Sequence, residues 1–235
     1  MSDFTPKDLS LVHMVRAPRA PIEGKPPLLL QLHGVGSNER DLFSFAELLD
    51  PRLLVLSLRA PLVRGPDSFA WFNVEFLPAG FKIDPEQLRA SRDKIVQFIS
   101  EAVQAYDADP ERVYLLGFSQ GAIMSLTTAL SIPAPIAGLV PLSGRIPPEA
   151  HPWMAPKEEL AGLPILMVHG TQDAVIPVSH ARQAHELLQK LPVTLTYQEF
   201  EMAHEVTPRV LRIVLAWLTD RLDKPSWRRN DGTSS

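Results

Sequence analysis

The sequence contains no cysteine among its 235 residues. Disulfide bonds, thiolate metal sites and cysteine nucleophiles are therefore excluded by chemistry. An excess of charge of one sign is also absent, since 23 basic residues stand against 27 acidic ones, for a net charge of −4. A mildly acidic chain has no electrostatic attraction to nucleic acid or to an anionic membrane. We therefore expect no nucleic-acid partner and no stable membrane association.

The chain also lacks the usual signs of export and of membrane insertion. Its first seven residues show no basic segment followed by an apolar one, so we expect no signal peptide and a cytoplasmic location. Residues 113–144 carry no charge and exceed the roughly 20 apolar residues of a membrane span. This segment is nevertheless interrupted by Ser119, Gln120 and five helix or strand breakers: Gly117, Gly121, Pro133, Pro135 and Pro141. We interpret it as strand, turn, helix and strand at the centre of a covered sheet.

Short apolar runs typical of β-strands alternate with helical patterns along the whole chain. This alternation predicts an α/β fold with a mainly parallel central sheet and helices on both faces. The predicted strands are Leu9–Arg16, Leu28–Leu32, Leu53–Leu56, Val113–Leu116, Ile136–Val140, Ile165–Val168 and Val193–Phe200. The predicted helices are Asp41–Leu49, a helix capped by Asp84, Gln120–Ser131, Ser179–Leu191 and Thr207–Leu222.

The length suits one domain, which we assign to residues 1–223. Residues 224–235 are polar and lack periodicity, so we predict a flexible C-terminal tail. The proline-rich segment 141–164 is long enough for a small flap but too short for a large lid domain.

Gly117-Phe118-Ser119-Gln120-Gly121 forms a G-x-S-x-G motif between a predicted strand and a predicted helix. On such a sharp turn the serine hydroxyl stands clear of the sheet, as the nucleophile of an α/β-hydrolase does. Glycine is needed two residues before and two residues after the serine, because side chains there would collide across the turn. The alternative is a glycine-rich turn that serves packing alone. The motif and its context predict Ser119 as the nucleophile.

A serine hydroxyl needs an imidazole to accept its proton and a carboxylate to orient that imidazole. In α/β-hydrolases the chain order is serine, acid, histidine. His204 follows the last predicted strand, and Asp173 lies in the loop at the carboxyl end of the strand before it. We therefore predict a Ser119–Asp173–His204 triad, with Asp220 and Glu205 as reserve acids that fall outside this order. The other histidines precede the serine or the acid, or lie in a predicted helix: His13, His33, His151, His169, His180 and His185.

Two backbone N–H groups usually stabilise the oxyanion of a tetrahedral intermediate. One is predicted to be that of Gln120, the residue after the nucleophile, and the other that of Val35 in the loop after Leu28–Leu32. The alternative is a dinucleotide-binding loop, but the third glycine of G-x-G-x-x-G is replaced by Glu39. We predict no cofactor and no metal.

Together these residues resemble the bacterial phospholipase/carboxylesterase family, whose members are relatives of the acyl-protein thioesterases. The matching segments are residues 32–39, 71–72, 117–122, 142–144, 169–173 and 203–204. The resemblance implies a compact α/β-hydrolase fold without a large lid, acting on small carboxylic esters, although some relatives cleave thioesters or lysophospholipids. The chain departs from the thioesterase pattern at Ser37, where a Gly-Asp step is usual, and from the family at Asn73, where aspartate is frequent. We therefore expect a carboxylesterase rather than a protein thioesterase.

The expected function is that of a serine carboxylesterase that hydrolyses small-molecule esters through an acyl-enzyme. The resemblance implies that Trp71 and Phe72 line the substrate pocket, with simple packing as the alternative. A lysophospholipase or acyl-protein thioesterase is the alternative function, followed by a non-catalytic binding protein on a hydrolase scaffold. The sequence leaves open the acyl-chain length, the leaving group and the choice between monomer and homodimer.

Overall fold

The fold is built around one seven-stranded sheet. The computed structural model describes residues 4–77, 80–224 and 226–227. Eleven strands are found in these residues: β1 His13–Arg16, β2 Leu28–Leu32, β3 Leu54–Leu58, β4 Leu62–Gly65, β5 Ser68–Ala70, β6 Val74–Leu77, β7 Gly80–Ile83, β8 Val113–Phe118, β9 Ile136–Leu142, β10 Pro164–Gly170 and β11 Thr194–Phe200. The sheet has the order β1-β3-β2-β8-β9-β10-β11. Of its strands, β1 is antiparallel to its neighbour and the rest are parallel.

Helices cover both faces of this sheet, as predicted. The α-helices are α1 Arg40–Phe43, α2 Pro85–Ala105, α3 Gln120–Ser131, α4 Val178–Leu188 and α5 Pro208–Leu222. Successive side chains of a strand point to opposite faces, so Leu28 and Leu30 of β2 belong to the core cluster that contains α2, α3 and α4, whereas Leu29 belongs to the cluster that contains α5. All of β2 is buried, as expected of a parallel strand covered on both sides.

The start of α2 shows how local sequence fixes a boundary. The Asp84 carboxylate accepts hydrogen bonds from the N–H groups of Glu86 and Gln87, and Pro85 occupies the first helical position. The Gln87 side chain does not close a capping box. Its amide oxygen accepts from the Asn73 N–H at 2.8 Å and ties the helix to the preceding hairpin.

Several predicted elements differ from those in the structure. Residues 41–49 form α1 and a separate 3₁₀ turn, Ala46–Leu48, because the Ser44 hydroxyl donates to the Asp41 carbonyl and competes with the helical ladder. The first strand is shorter than predicted and begins at His13. The antiparallel hairpins β4–β5 and β6–β7 were not predicted at all.

The proline-rich segment after β9 folds into two 3₁₀ helices, Pro148–Trp153 and Lys157–Leu160. In the predicted C-terminal tail, residues 225 and 228–235 lie outside the described residues. Trp227, which is described, packs on the core and donates its indole N–H to the Ile136 carbonyl at 3.1 Å. None of the described helices combines the length and the apolar character needed to cross a bilayer.

Candidate active site

Ser119 lies at a sharp turn between β8 and α3. Its backbone has φ 55° and ψ −117°, a left-handed conformation that is costly for a non-glycine residue. The Ser119 N–H donates to the Leu142 carbonyl of the neighbouring strand at 2.9 Å, which holds the turn in place. The serine is 5% exposed, so the hydroxyl sits at the floor of a depression rather than on an open surface.

The two glycines of the motif are required by the crowding around this turn. A Cβ at Gly117 would lie closer than 3.0 Å to the Gly121 carbonyl, and a Cβ at Gly121 would lie that close to the Leu32 carbonyl. Real Cβ atoms essentially never approach other atoms so closely. The absence of side chains therefore allows α3 to begin directly against β2.

His204 and Asp173 reach Ser119 from two neighbouring loops. The His204 Nε2 is 2.8 Å from the Ser119 Oγ, and its Nδ1 is 2.6 Å from the Asp173 Oδ2. The Phe118 ring lies 4.9 Å from the His204 ring, centroid to centroid, and supports it on one side. The structure thus brings together the three predicted residues in an unbroken hydrogen-bonded chain.

The carboxylate of Asp173 is held on its other oxygen by the backbone. Its Oδ1 accepts hydrogen bonds from the N–H groups of Val175 at 2.9 Å and Ile176 at 2.8 Å. Asp173 is 6% exposed, so these bonds fix a carboxylate that is almost removed from water. The Oδ2 is left directed at the His204 imidazole.

His169 is a second imidazole beside the same carboxylate, and it is not among the predicted site residues. Its Nε2 is 2.7 Å from the Ile176 carbonyl and 3.3 Å from the Asp173 Oδ2. Because a carbonyl only accepts, this nitrogen carries the ring proton. Burial lowers the pKa of His169, which favours the neutral form of the ring. The chain order that selects His204 excludes His169, and no local sequence pattern marks the contact of His169 with Asp173.

The loop after β2 covers one side of the serine. A Cβ at Gly34 would lie 3.3 Å from the Ser119 Cβ, so the loop backbone passes close to the nucleophile. Gly36 has φ 82°, and its N–H donates to the Phe69 carbonyl of β5 at 2.8 Å. In the described part of the chain, neither the Val35 N–H nor the Gln120 N–H donates to a protein acceptor. Both are therefore available to a ligand oxygen.

An ion pair anchors the far end of this loop. The Arg59 guanidinium donates two hydrogen bonds to the Glu39 carboxylate, at 2.7 and 2.6 Å, and stacks on the Phe69 ring at 4.6 Å. Arg59 lowers the pKa of Glu39, which is buried. Glu39, which stands where a dinucleotide-binding motif has its third glycine, thus has a structural role here.

The side chain of Gln120 fixes the two aromatic residues beneath the loop. Its amide oxygen accepts from the Trp71 N–H and its amide nitrogen donates to the Phe72 carbonyl, both at 2.7 Å. Phe72 lines the cleft beside Ser119. The prediction for Trp71 needs correction, because its indole is buried and donates to the His33 carbonyl at 3.0 Å instead of facing the cleft.

Replacing Gln120 by leucine is expected to destabilise the fold. The substitution leaves the Trp71 N–H and the Phe72 carbonyl buried without partners, at about 1–3 kcal/mol for each group. We expect Gln120→Leu to lower the free energy of unfolding by about 2 kcal/mol or more, measured by urea denaturation. The control is Gln97→Leu on the exposed face of α2, which removes only a surface contact with Glu101. If the free energy of unfolding falls no further in Gln120→Leu than in this control, the Gln120 side chain does not hold Trp71 and Phe72 in place.

The cleft in front of Ser119 has a volume of about 420 Å³, including its open mouth, and its walls are mostly apolar. Its lining residues are Val35, Phe72, Val74, Ile83, Ser119, Gln120, Ile123, Arg145, Val175 and Ile176. Two of them, Val74 and Ile83, come from the unpredicted β6–β7 hairpin. Within the described ranges, no three histidine or acidic side chains group closely enough to hold a metal ion.

The sheet order, the turn carrying Ser119 after a central strand and the loops that converge on it define an α/β-hydrolase. A family model for phospholipases and carboxylesterases matches residues 16–221. The chain belongs to this phospholipase/carboxylesterase family, as the sequence motifs indicated.

Named relatives agree with this family. The chain is 29% identical over 210 residues to a probable carboxylesterase SOBER1-like of Arabidopsis thaliana, covering 84% of this chain and 80% of that protein. It is 30% identical over 166 residues to acyl-protein thioesterase 1 of Eremothecium gossypii, covering 68% of this chain and 69% of that protein. The family and these relatives identify the chain as a hydrolase of the carboxylesterase/thioesterase type, which confirms the predicted enzyme class.

Solved structures show the same fold. A carboxylesterase from Mesorhizobium loti superposes with a TM-score of 0.76 at 20% identity, over 93% of this chain and 98% of that one. The Bacillus cereus carboxylesterase gives a TM-score of 0.75 at 22% identity, over 90% of this chain and 94% of that one. These likenesses confirm the predicted α/β-hydrolase fold.

Proposed function

We propose that the protein is a serine carboxylesterase that hydrolyses small carboxylic esters through an acyl-enzyme intermediate. The observation that carries the proposal is the hydrogen-bonded chain from the Ser119 Oγ through His204 to Asp173, with links of 2.8 and 2.6 Å. Both distances are within hydrogen-bonding reach, which a nucleophile and its base require.

The reaction begins when Ser119 attacks the ester carbonyl and His204 accepts the hydroxyl proton. Asp173 holds the imidazole with Nε2 toward the serine and stabilises the imidazolium that forms. His204 then protonates the leaving alcohol, and the acyl group remains on Ser119. Water, deprotonated by the same imidazole, attacks the acyl-enzyme and releases the carboxylic acid.

The N–H groups of Val35 and Gln120 stabilise the oxyanion in both tetrahedral intermediates. Two features support this assignment: neither group has a protein acceptor in the described residues, and Gly34 brings the loop against Ser119. The Gln120 N–H also belongs to the first turn of α3, where the helix dipole favours negative charge. Donors held in place before the reaction add no reorganisation cost when charge develops.

The size of the cleft favours small esters over long-chain substrates. Its enclosed volume is about 60 Å³, because the 420 Å³ given above includes the open mouth, and this is small against the roughly 300–1,000 Å³ of small-molecule sites. A long acyl chain would extend beyond its apolar walls into water. The alternative of an acyl-protein thioesterase is favoured only by the relatives that carry that name.

The first test combines active-site labelling with a comparison of substrates. A fluorophosphonate probe is expected to label the protein, and mass spectrometry of its peptides is expected to locate the adduct on Ser119. A protein that binds esters without hydrolysing them would not be labelled. For turnover, we expect kcat/KM for 4-nitrophenyl butyrate to exceed that for a palmitoyl thioester by about 10-fold or more. A higher kcat/KM for the palmitoyl thioester would favour the alternative function of an acyl-protein thioesterase.

A further inference from the structure

A buried histidine that the mechanism above does not use lies directly before the loop that carries Val35. His33 is the first residue after β2, and it is fully removed from solvent. Its backbone carbonyl accepts the indole N–H of Trp71 at 3.0 Å. A buried imidazole is costly unless its two nitrogens have hydrogen-bond partners. Both nitrogens of His33 have such partners, and one of them is a peptide group of the loop.

The contacts of the His33 ring fix its tautomer. The Nε2 is 3.0 Å from the backbone nitrogen of Ala60, and an N–H group can only donate. The Nε2 is therefore the acceptor, and the proton of the neutral ring is on Nδ1. The Nδ1–H donates to the Gly34 carbonyl at 2.7 Å. Burial lowers the pKa of His33, which favours the neutral form that these two hydrogen bonds require.

The Gly34 carbonyl depends on this imidazole for its orientation. Residues 34–37 form a tight turn, in which Gly36 has φ 82° and the Ser37 N–H is 3.3 Å from the Gly34 carbonyl. That distance is long for a hydrogen bond from a backbone N–H, which typically spans about 2.7–3.2 Å. The contact with the His33 ring is the shorter of the two, at 2.7 Å. The turn alone therefore holds the Gly34 carbonyl less firmly than the imidazole does.

The planar peptide between Gly34 and Val35 transmits this orientation to the N–H of Val35. In a trans peptide the C=O and the following N–H point in opposite directions. A hydrogen bond that holds the Gly34 carbonyl toward the His33 ring therefore directs the Val35 N–H away from that ring. Val35 lines the cleft together with Ser119, and its N–H has no protein acceptor among the described residues. If this peptide rotated, its carbonyl oxygen would replace the N–H and would repel an oxyanion.

We propose that His33 is a positioning residue for the oxyanion hole, because it holds the Gly34–Val35 peptide with the Val35 N–H toward the oxyanion that forms at Ser119. The ring acts through the peptide and does not touch the substrate. This inference rests on the proposed esterase function of the same cleft. Since the oxyanion exists only after the serine attacks, loss of this orientation lowers kcat and leaves KM nearly unchanged.

Two substitutions separate the two hydrogen bonds of the His33 ring. In His33→Asn, the amide nitrogen can take the place of Nδ1 and donate to the Gly34 carbonyl, but no atom replaces Nε2. In His33→Gln, the longer side chain reaches the place of Nε2, where its amide oxygen can accept from the Ala60 N–H. The Gly34 carbonyl then has no side-chain donor. Each variant loses one buried hydrogen bond, so a loss of stability is expected in both.

We expect kcat for 4-nitrophenyl butyrate to decrease in the order wild type, His33→Asn, His33→Gln. His33→Gln is expected to lower kcat by about 10²-fold, the low end of the cost of losing one oxyanion donor, with KM within about threefold. His33→Asn is expected to keep kcat within about 10-fold of the wild type. A trifluoromethyl ketone forms an adduct with a catalytic serine that carries an oxyanion. Its Ki should rise in His33→Gln by about the factor by which kcat/KM falls.

His13 provides a matched control for the loss of a buried histidine. It is 7% exposed, and its ring nitrogens are 2.9 Å from the Leu11 carbonyl and 2.6 Å from the Tyr106 hydroxyl. His13 is not among the described residues that line the cleft. His13→Gln is expected to lower the urea midpoint, while kcat stays within about twofold of the wild type.

Three kinetic results would overturn the proposal. The first is a kcat of His33→Gln within threefold of the wild type. The second is a fall in kcat that is as large in His33→Asn as in His33→Gln, because the donor to the Gly34 carbonyl would then be irrelevant. The third is an equal fall in His13→Gln, which would mean that kcat reports general destabilisation.

A measurement on the wild-type enzyme covers the case in which the His33 variants do not fold. Nitrogen-15 NMR of the imidazole rings distinguishes the two tautomers, and the His33 signal can be assigned through its contact with the Ala60 N–H. We expect a neutral ring with its proton on Nδ1, also in the trifluoromethyl ketone adduct. A proton on Nε2 would overturn the proposal, because the positioning hydrogen bond comes from Nδ1 of a neutral ring. If the wild-type enzyme hydrolyses no ester and Ser119 is not labelled, the proposed function fails as well.

Discussion

Ser119→Ala is expected to lower kcat for 4-nitrophenyl butyrate by about 10³-fold or more. The substitution removes the oxygen that forms the acyl-enzyme and leaves the His204–Asp173 pair without a proton donor to accept from. The cleft and the oxyanion donors remain, so KM is expected to change little. The measurement is steady-state hydrolysis followed at the nitrophenolate absorbance. Turnover within 10-fold of the wild type would remove Ser119 from the mechanism.

A serine at the opposite end of α3 controls for this change. Ser131 lies at the end of α3, where its hydroxyl donates to the Thr127 carbonyl at 2.6 Å. Ser131→Ala is expected to keep kcat within about twofold. The double variant Ser119→Ala/His204→Ala gives a second check, because residues that act as one unit do not contribute additively. Its activity should equal that of Ser119→Ala. A further large loss would mean that His204 acts independently of the serine.

The sequence predicted those features whose cause is local. Leu28–Leu32 consists of residues typical of a buried strand, and the Asp84-Pro85 pair is a capping signal, so both elements lie where they were predicted. Gly117 and Gly121 could be predicted as a pair because the turn between them leaves no room for side chains. His204 and Asp173 could be selected because the chain order of the fold restricts the candidates.

Features that depend on distant partners could not be predicted in this way. The exposed pattern of β4 and the shortness of β6 and β7 give little periodicity, although Val74 and Ile83 form a wall of the cleft. The two hydrogen bonds of the Gln120 side chain join residues 48 and 49 positions apart. Arg145 lines the cleft, and Gly144 before it lies directly against Ala122 of α3. No local pattern marks such contacts, since they arise from the packing of complete elements.

Gly121→Ala is expected to destabilise the fold by about 3 kcal/mol or more, the upper part of the range for overpacking. The added Cβ would overlap the Leu32 carbonyl, and the next nearest atoms also belong to backbone, including the His33 carbonyl. A side chain can rotate away from such a contact, but here either β2 or the start of α3 has to move. Either shift displaces the loop with Val35 or the turn with Ser119, so activity is expected to fall together with stability.

Gly65→Ala provides the matched control for this prediction. A Cβ at Gly65 meets nothing within 4 Å, and the residue lies outside the left-handed region that favours glycine. Its free energy of unfolding, obtained from urea denaturation, should stay within about 0.5 kcal/mol of the wild type. If Gly121→Ala is no less stable than Gly65→Ala, α3 and β2 are not in the close contact described above. The steric reason for glycine at the second position of the motif would then fail.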